Sequence, residues 1–335
     1  MLYLTTREKY DAFTAARTTK SDRGPNGGFY LPYKMPNFSR EEMAAMKDRS
    51  FGQNMAELLN QFFGTRFTAW DVEFCIGRYP MRLASMGQKV LVAECWRNLE
   101  GNYERMERQV AALICGCSIW EVRITSWLRI GIRIAFLFAT YAEMLRQEMV
   151  SDRKPFDVAV SEGNLSLLMA VWYAKAMGLP VANIICGCND GSATWDLVYN
   201  GQIRPGDREP VEELERLVFD HFGFEEAARF VGCLQMGENY EIPKEGKAKI
   251  QENFFAAVVS HNRMESVILN AFRTSSYIMG PDAAVSYSAF MDHRARTGEG
   301  RVALLLADRN AGESSREVAA AMGVTEEKLK ELLGR

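Results

Sequence analysis

Two polar segments of this chain follow apolar runs and carry residues able to bind or activate a ligand. The first is Ser161-Glu162-Gly163-Asn164, with Ser166 just beyond it. Small residues leading into a helix leave backbone N–H groups free for an anion, so Gly163, Asn164 and Ser166 are candidate phosphate or ligand contacts. The same residues also suit a plain turn in which Ser161 or Asn164 caps the helix. The second segment runs from Trp96 to Arg105, where Arg97, Asn102, Glu104 and Arg105 sit close together. They could line a pocket at the end of a strand, or form a solvated helix start with Glu100 and Glu104 at i, i+4. Glu104 would serve as an acid or base only if an apolar cleft raised its pKa. Asn189-Asp190-Gly191, after a further apolar run, is either a second wall of the same pocket or a turn.

The elements that must position these residues read as follows. Residues 156–160 form a strand, 165–177 a helix ended by Gly178-Leu179-Pro180, and 181–185 a second strand, which together make one βαβ unit. Before it lie a strong turn at Gly24-Pro25-Asn26-Gly27-Gly28, a capped helix starting at Ser39, and an amphipathic helix over 51–63. A strand over 90–93, a helix over 101–113 and a long helix over 120–147 follow. Beyond the βαβ unit come a charged helical region at 209–230, a polar link at 237–246 and a helix over 248–271. The chain closes with a strand over 301–307 and two short helices within 314–333.

Composition excludes several function classes. Forty basic against 43 acidic residues give a net charge of −3, which calls for neither nucleic acid nor an anionic membrane. The tail 315–333 has a helix-turn-helix outline but no basic stripe. The most apolar run, 130–141, is too short to span a membrane, and the N-terminus lacks a signal-peptide pattern, so a cytoplasmic location is expected. Cys115-Gly116-Cys117 and Cys186-Gly187-Cys188 lack zinc-ligand spacing and His221, His261 and His293 are scattered, so no metal site is read. The cysteines are taken as buried free thiols, with redox or metal use as the alternative.

Several stretches resemble the threonine synthase family, whose members use pyridoxal phosphate (PLP) and share the tryptophan-synthase-β fold. Near the start these are Tyr3-Leu4-Thr5-Thr6-Arg7 and Asn26-Gly27-Gly28-Phe29-Tyr30-Leu31-Pro32. In the middle they are Trp127-Leu128-Arg129-Ile130 with Phe136, Phe138 and Tyr141. The best match is Gly163-Asn164 followed by Tyr173-Ala174-Lys175-Ala176-Met177-Gly178-Leu179-Pro180. Asn189-Asp190 and Gly280-Pro281-Asp282-Ala283-Ala284-Val285 keep the family's order. The resemblance implies an α/β fold: a threonine-synthase-type N-terminal domain over residues 1–88 and a PLP-fold-like domain over 89–335.

Set beside the family's motifs, the sequence departs at the chemistry. The family's Schiff-base lysine aligns with Glu104, and no lysine occurs between Lys89 and Lys154. Only residues 111–123 stand where the family inserts its small mobile domain, which therefore reads as deleted. The phosphate loop is degenerate, with Ser166 and Leu167 replacing Gly and Asn. Glu162 stands beside the phosphate position, where two unit charges ~5 Å apart would repel by roughly 3 kcal/mol. Leu306 takes the place of the threonine near the pyridine nitrogen. No catalytic residue and no cofactor are therefore expected. The expectation is an inactive relative that binds a small metabolite or a protein partner through the former cofactor cleft, with self-association as a remedy for the lost domain. The alternative is a PLP-dependent carbon–oxygen lyase that takes its lysine from another chain. Trp127, Arg129 and Arg133 read as packing and salt-bridge residues.

Overall fold

A computed structural model of the chain describes residues 1–87, 89–163, 165–204 and 213–334. Its N-terminal part pairs β1 (Leu2–Thr5), β2 (Glu8–Thr14) and β3 (Tyr30–Pro32) as an antiparallel sheet in the order β2-β1-β3. Helices α1 (Ala15–Thr18), α2 (Arg40–Ala45), α3 (Phe51–Phe63) and α4 (Ala69–Ile76) follow. Ser39, Ser50 and Thr68 each begin a helix with a reciprocal capping box, completed by Glu42, Gln53 and Asp71, which satisfies backbone donors that a helix start leaves open.

The rest is built on a mixed six-stranded sheet. Its strands are β4 (Arg82–Ser85), β5 (Val90–Glu94), β6 (Phe156–Ser161), β7 (Val181–Cys188), β10 (Phe254–Val258) and β11 (Ala303–Ala307). A short pair, β8 (Gln202–Ile203) and β9 (Tyr240–Glu241), stands apart from it. The large sheet runs β10-β7-β6-β11-β5-β4, all parallel except β4. Helices α5 (Tyr103–Cys115) and α6 (Ser126–Arg146) join β5 to β6, and α7 (Leu165–Ala176) joins β6 to β7. Next come α8 (Ala193–Tyr199), α9 (Leu214–Phe222), α10 (Phe224–Met236) and α11 (Gly246–Gln251). After β10 come α12 (His261–Ser275) and α13 (Pro281–Thr297); α14 (Ser315–Met322) and α15 (Glu326–Leu333) close the chain.

Successive side chains of a strand point to opposite faces, and the core divides accordingly. Leu91, Ala93, Val158, Val160, Ile184 and Leu306 pack with α3, α6 and α7, whereas Val90, Val92, Ala159, Ile185 and Leu305 pack with α12, α13 and α14. The mixed α/β architecture and the βαβ unit agree with the sequence reading. Gly178 ends α7 at φ +107, with its Cα so close to Phe38 that a Cβ there would meet the Phe38 carbonyl oxygen at 2.6 Å. Helix α6 begins at Ser126, after Thr125 caps it, rather than at residue 120.

Two expected elements differ. The helix expected over 248–271 is a short helix, the strand β10 and then α12. Phe254 to Val258 pair in parallel with β7 and supply an edge strand, so sheet pairing overrides the helical pattern. The charged region at 209–230 contains two helices parted at Gly223, which has φ +86, and residues 205–212 lie outside the described part. Residues 116–125 are the entire connection between α5 and α6, leaving no room there for an inserted domain.

Candidate functional site

The parallel strands end on one edge of the sheet, and β11 lies between β5 and β6 although it is last in sequence. Strand order reverses there, which opens a crevice at the carboxyl ends of the strands. A cleft of about 230 Å³ occupies this place. Tyr103, Glu104 and Glu107 from α5, Arg129 and Arg133 from α6, Gly163, Leu165 and Ser166 from the β6–α7 turn, and Glu213 before α9 line it.

Asn102 caps α5, its side-chain oxygen accepting the Glu104 N–H at 2.8 Å. Helical spacing then turns Tyr103, Met106, Glu107 and Val110 inward and leaves Glu104 and Arg105 exposed. Glu107 is only 3% exposed and lies 3.3 Å from the Arg129 Nε. Burial pushes its carboxyl up to about 7, against the pull of Arg129 and Arg133 and with a further push from Asp308 and Glu104. Arg133 is 2% exposed, and its guanidinium donates to both Asp308 oxygens, at 2.8 and 2.6 Å. The same guanidinium lies 3.2 Å from the Tyr103 ring centroid. Burial works against the Arg133 charge, but Asp308 more than offsets it, and the net direction is up.

Two buried polar atoms of this lining, the Tyr103 hydroxyl and Glu213 Oε2, have no hydrogen-bond partner among the described residues. The other Glu213 oxygen accepts from Ser126 Oγ at 3.0 Å. Both residues line the cleft, and each keeps one polar atom buried and unpaired among the described residues. Burial raises the Tyr103 hydroxyl well above the ordinary tyrosine range, so it is a neutral O–H there.

Of the residues singled out from sequence, Gly163, Ser166 and Glu104 meet at this cleft, and Asn164 lies outside the described residues. Glu104 does not sit in an apolar environment: it is exposed at the rim and paired with Arg309 at 2.8 Å. The buried carboxylate is Glu107, one turn further along the helix. Arg97 lies elsewhere, pairing with Glu94 at 3.0 Å and stacking on Trp96. Asn102 spends its amide on Glu313 at 2.8 Å, and Arg105 is exposed. Asn189 and Asp190 are exposed and do not wall the cleft; the Asn189 backbone N–H instead donates to Glu162 at 2.9 Å. Glu162 itself is 2% exposed and turned away from the cleft, where its carboxylate also takes the Ser192 hydroxyl. It therefore does not oppose an anion at Gly163 and Ser166 in the way the sequence suggested, because donors at the start of α8 claim it. Leu306 packs into the core, as its apolar side chain demands. Cys95, Cys186, Cys188 and Cys233 are buried, but Cys117 is exposed and Cys75 and Cys115 are half-buried.

Glu107, Asp308 and Glu213 were not read as site residues. The signal that could have found Glu107 was its place on the apolar stripe of α5, beside Tyr103, Met106 and Val110. Among the described residues, no helix is long and apolar enough to cross a membrane.

Comparison with known proteins agrees with this fold. The threonine synthase N terminus family matches residues 2–79. Threonine synthase-like 1 of Homo sapiens is 25% identical over 176 residues, covering 48% of this chain and 24% of that protein. The chain thus spans about a quarter of the length of the curated relatives it matches. The PLP-bound threonine synthase of Brucella melitensis superposes with a TM-score of 0.85 at 17% identity, covering 100% of this chain and 95% of that one. The yeast enzyme gives 0.79 at 13% identity, covering 99% and 93%. Identities this low establish the fold and nothing finer.

Proposed function

We propose that this relative of the threonine synthases makes no threonine and binds a small, amino-bearing metabolite, the size of an amino acid, in the cleft between α5, α6 and the β6–α7 turn. In this reading residues 1–88 are the N-terminal domain and 89–335 the shortened α/β domain. The observation that supports the proposal is that two residues lining one cavity, Glu213 and Tyr103, each hold a buried polar atom without a hydrogen-bond partner among the described residues. An acceptor that is buried and ionic needs a donor, and an ammonium group supplies one. Arg129 and Arg133 are matched by Glu107 and Asp308 and Glu104 by Arg309, so Glu213 is the lining carboxylate left to meet a cation. Ser166 and the start of α7 would meet a carboxylate at the other end of the ligand. About 230 Å³ lies below the range of ~300–1,000 Å³ typical of drug-sized ligands. The cavity also is not filled by neighbouring side chains, which favours a metabolite over a protein partner.

PLP does not fit these residues. It supplies an electron sink once bound as an imine to a lysine, and no lysine lines the cleft among the described residues. Three carboxylates, Glu104, Glu107 and Glu213, also line the cleft. The lyase alternative requires a lysine from elsewhere, and nothing in the cleft supports one.

Calorimetry of the full chain against the common amino acids and simple amines tests the reading. One amino-bearing compound should bind, and Glu213→Gln and Tyr103→Phe should each weaken it about tenfold or more, the second without loss of stability. Incubation with PLP and borohydride should leave no adduct. A lysine-linked pyridoxyl group found by mass spectrometry, or unchanged affinity in both variants, would overturn the proposal.

A further inference from the structure

The opposite edge of the sheet, away from the cleft, brings together three residues that are far apart in sequence. A carboxylate oxygen of Asp157 on β6, a ring nitrogen of His293 on α13 and a carboxylate oxygen of Glu299 before β11 all lie within 4.8 Å of one another. We propose that these three side chains bind a divalent metal ion, of which Zn²⁺ is the natural probe. One imidazole with two carboxylates is a donor set that suits zinc or manganese, and it leaves coordination positions for water.

A cluster of acids alone would say little, but His293 adds a second observation. It is 4% exposed, and its buried Nδ1 has no hydrogen-bond partner among the described residues. A buried imidazole nitrogen left unpaired is costly unless something binds it.

The surroundings already provide an outer layer. The Asn183 amide donates to Asp157 Oδ1 at 2.8 Å and to Glu299 Oε2 at 3.3 Å, and Arg301 pairs with that same Glu299 oxygen. These donors orient both carboxylates, as second-layer partners do in metal sites. Glu299 also lines a groove of about 750 Å³, so an ion has a path from solvent. Bound there, the ion would tie α13 and the segment before β11 to β6. It would thereby steady the sheet next to β11, whose far end leads to Asp308 at the cleft.

The test is Zn²⁺ titration of the full chain against a chromophoric competitor near neutral pH, with unfolding followed with and without the ion. The wild-type chain should bind one tight Zn²⁺ and unfold at higher temperature with it. His293→Ala and Glu299→Gln should each weaken binding by at least ~10-fold, the lower bound of what even outer partners cost. Glu299 is half-exposed, so its variant should fold as the wild type does when metal is absent. Absorption at the zinc edge should show nitrogen and oxygen neighbours at roughly 2.0–2.2 Å. No tight binding of Zn²⁺ or Mn²⁺, unchanged affinity in both variants, or sulfur in the zinc shell would each overturn the proposal.

Discussion

Glu107→Gln should make this protein more stable at pH 8 while leaving it nearly unchanged at pH 4.5. The glutamine amide keeps the size and hydrogen-bonding capacity of a protonated carboxyl but cannot ionise. In the folded chain burial lifts the Glu107 carboxyl to about 7, from an ordinary glutamate value of 4.5. A raised folded value means the proton is held more tightly in the folded state. The stability it contributes is therefore complete below pH 4.5, erodes as pH rises and is lost above about 7. A tenfold difference in proton affinity between the folded and unfolded chains is worth about 1.4 kcal/mol, so the wild-type chain gives up about 3 kcal/mol across this window and the variant does not. Urea unfolding of both proteins at half-unit steps from pH 4.5 to 8 isolates the effect, since every other titrating group cancels in the difference. Stability of the variant relative to wild type should climb by about 3 kcal/mol and then level off. A difference that stays flat over this range would show that water reaches Glu107, and the closed inner wall of the cleft would then be wrong. A variant less stable at pH 8 would show that the ion pair with Arg129 outweighs burial.

Two further substitutions probe the walls of the site. Arg133→Met removes both hydrogen bonds to Asp308 and leaves that carboxylate without its cation, at a cost of about 3–5 kcal/mol in urea unfolding. Arg133→Lys should restore only part of this, because an ammonium cannot match the two-pronged geometry. Glu162→Gln weakens the contacts to Asn189 N–H and Ser192 and should cost about 2 kcal/mol. It should leave ligand affinity in the cleft unchanged, since Glu162 does not line it.

Local chemistry was readable along the chain, and long-range pairing was not. The β6–α7–β7 unit could be read because turn residues bracket it and Gly178 meets a steric demand of its own. Strand β10 was missed because Phe254 to Val258 is a continuous apolar run, which periodicity alone cannot tell from a buried helix. The polar density from Trp96 to Arg105 drew attention to residues on the outer side of α5. The charge that burial alters lies one turn on, where it interrupts an apolar stripe. Arg133 gave a readable sign of the same kind, a cation within Ile130 to Leu137, and a salt-bridge role was the right reading. Its partner Asp308 comes from the far end of the chain, and only the insertion of β11 between β5 and β6 brings them together. The triad of Asp157, His293 and Glu299 was hidden for the same reason.

The charges around the cleft are largely balanced within the chain. Arg133 is neutralised by Asp308, Glu104 by Arg309 and Arg129 by Glu107, while Glu162 takes donors from the start of α8. Such internal pairing removes the positive surplus that a phosphate-bearing ligand would need, because each guanidinium is already matched by a carboxylate. Two residues of the lining, Glu213 and Tyr103, each keep a buried polar atom without a partner among the described residues. Under the proposed function, an acceptor and a hydroxyl left unpaired among charges otherwise balanced within the chain would suit an amine better than a phosphate.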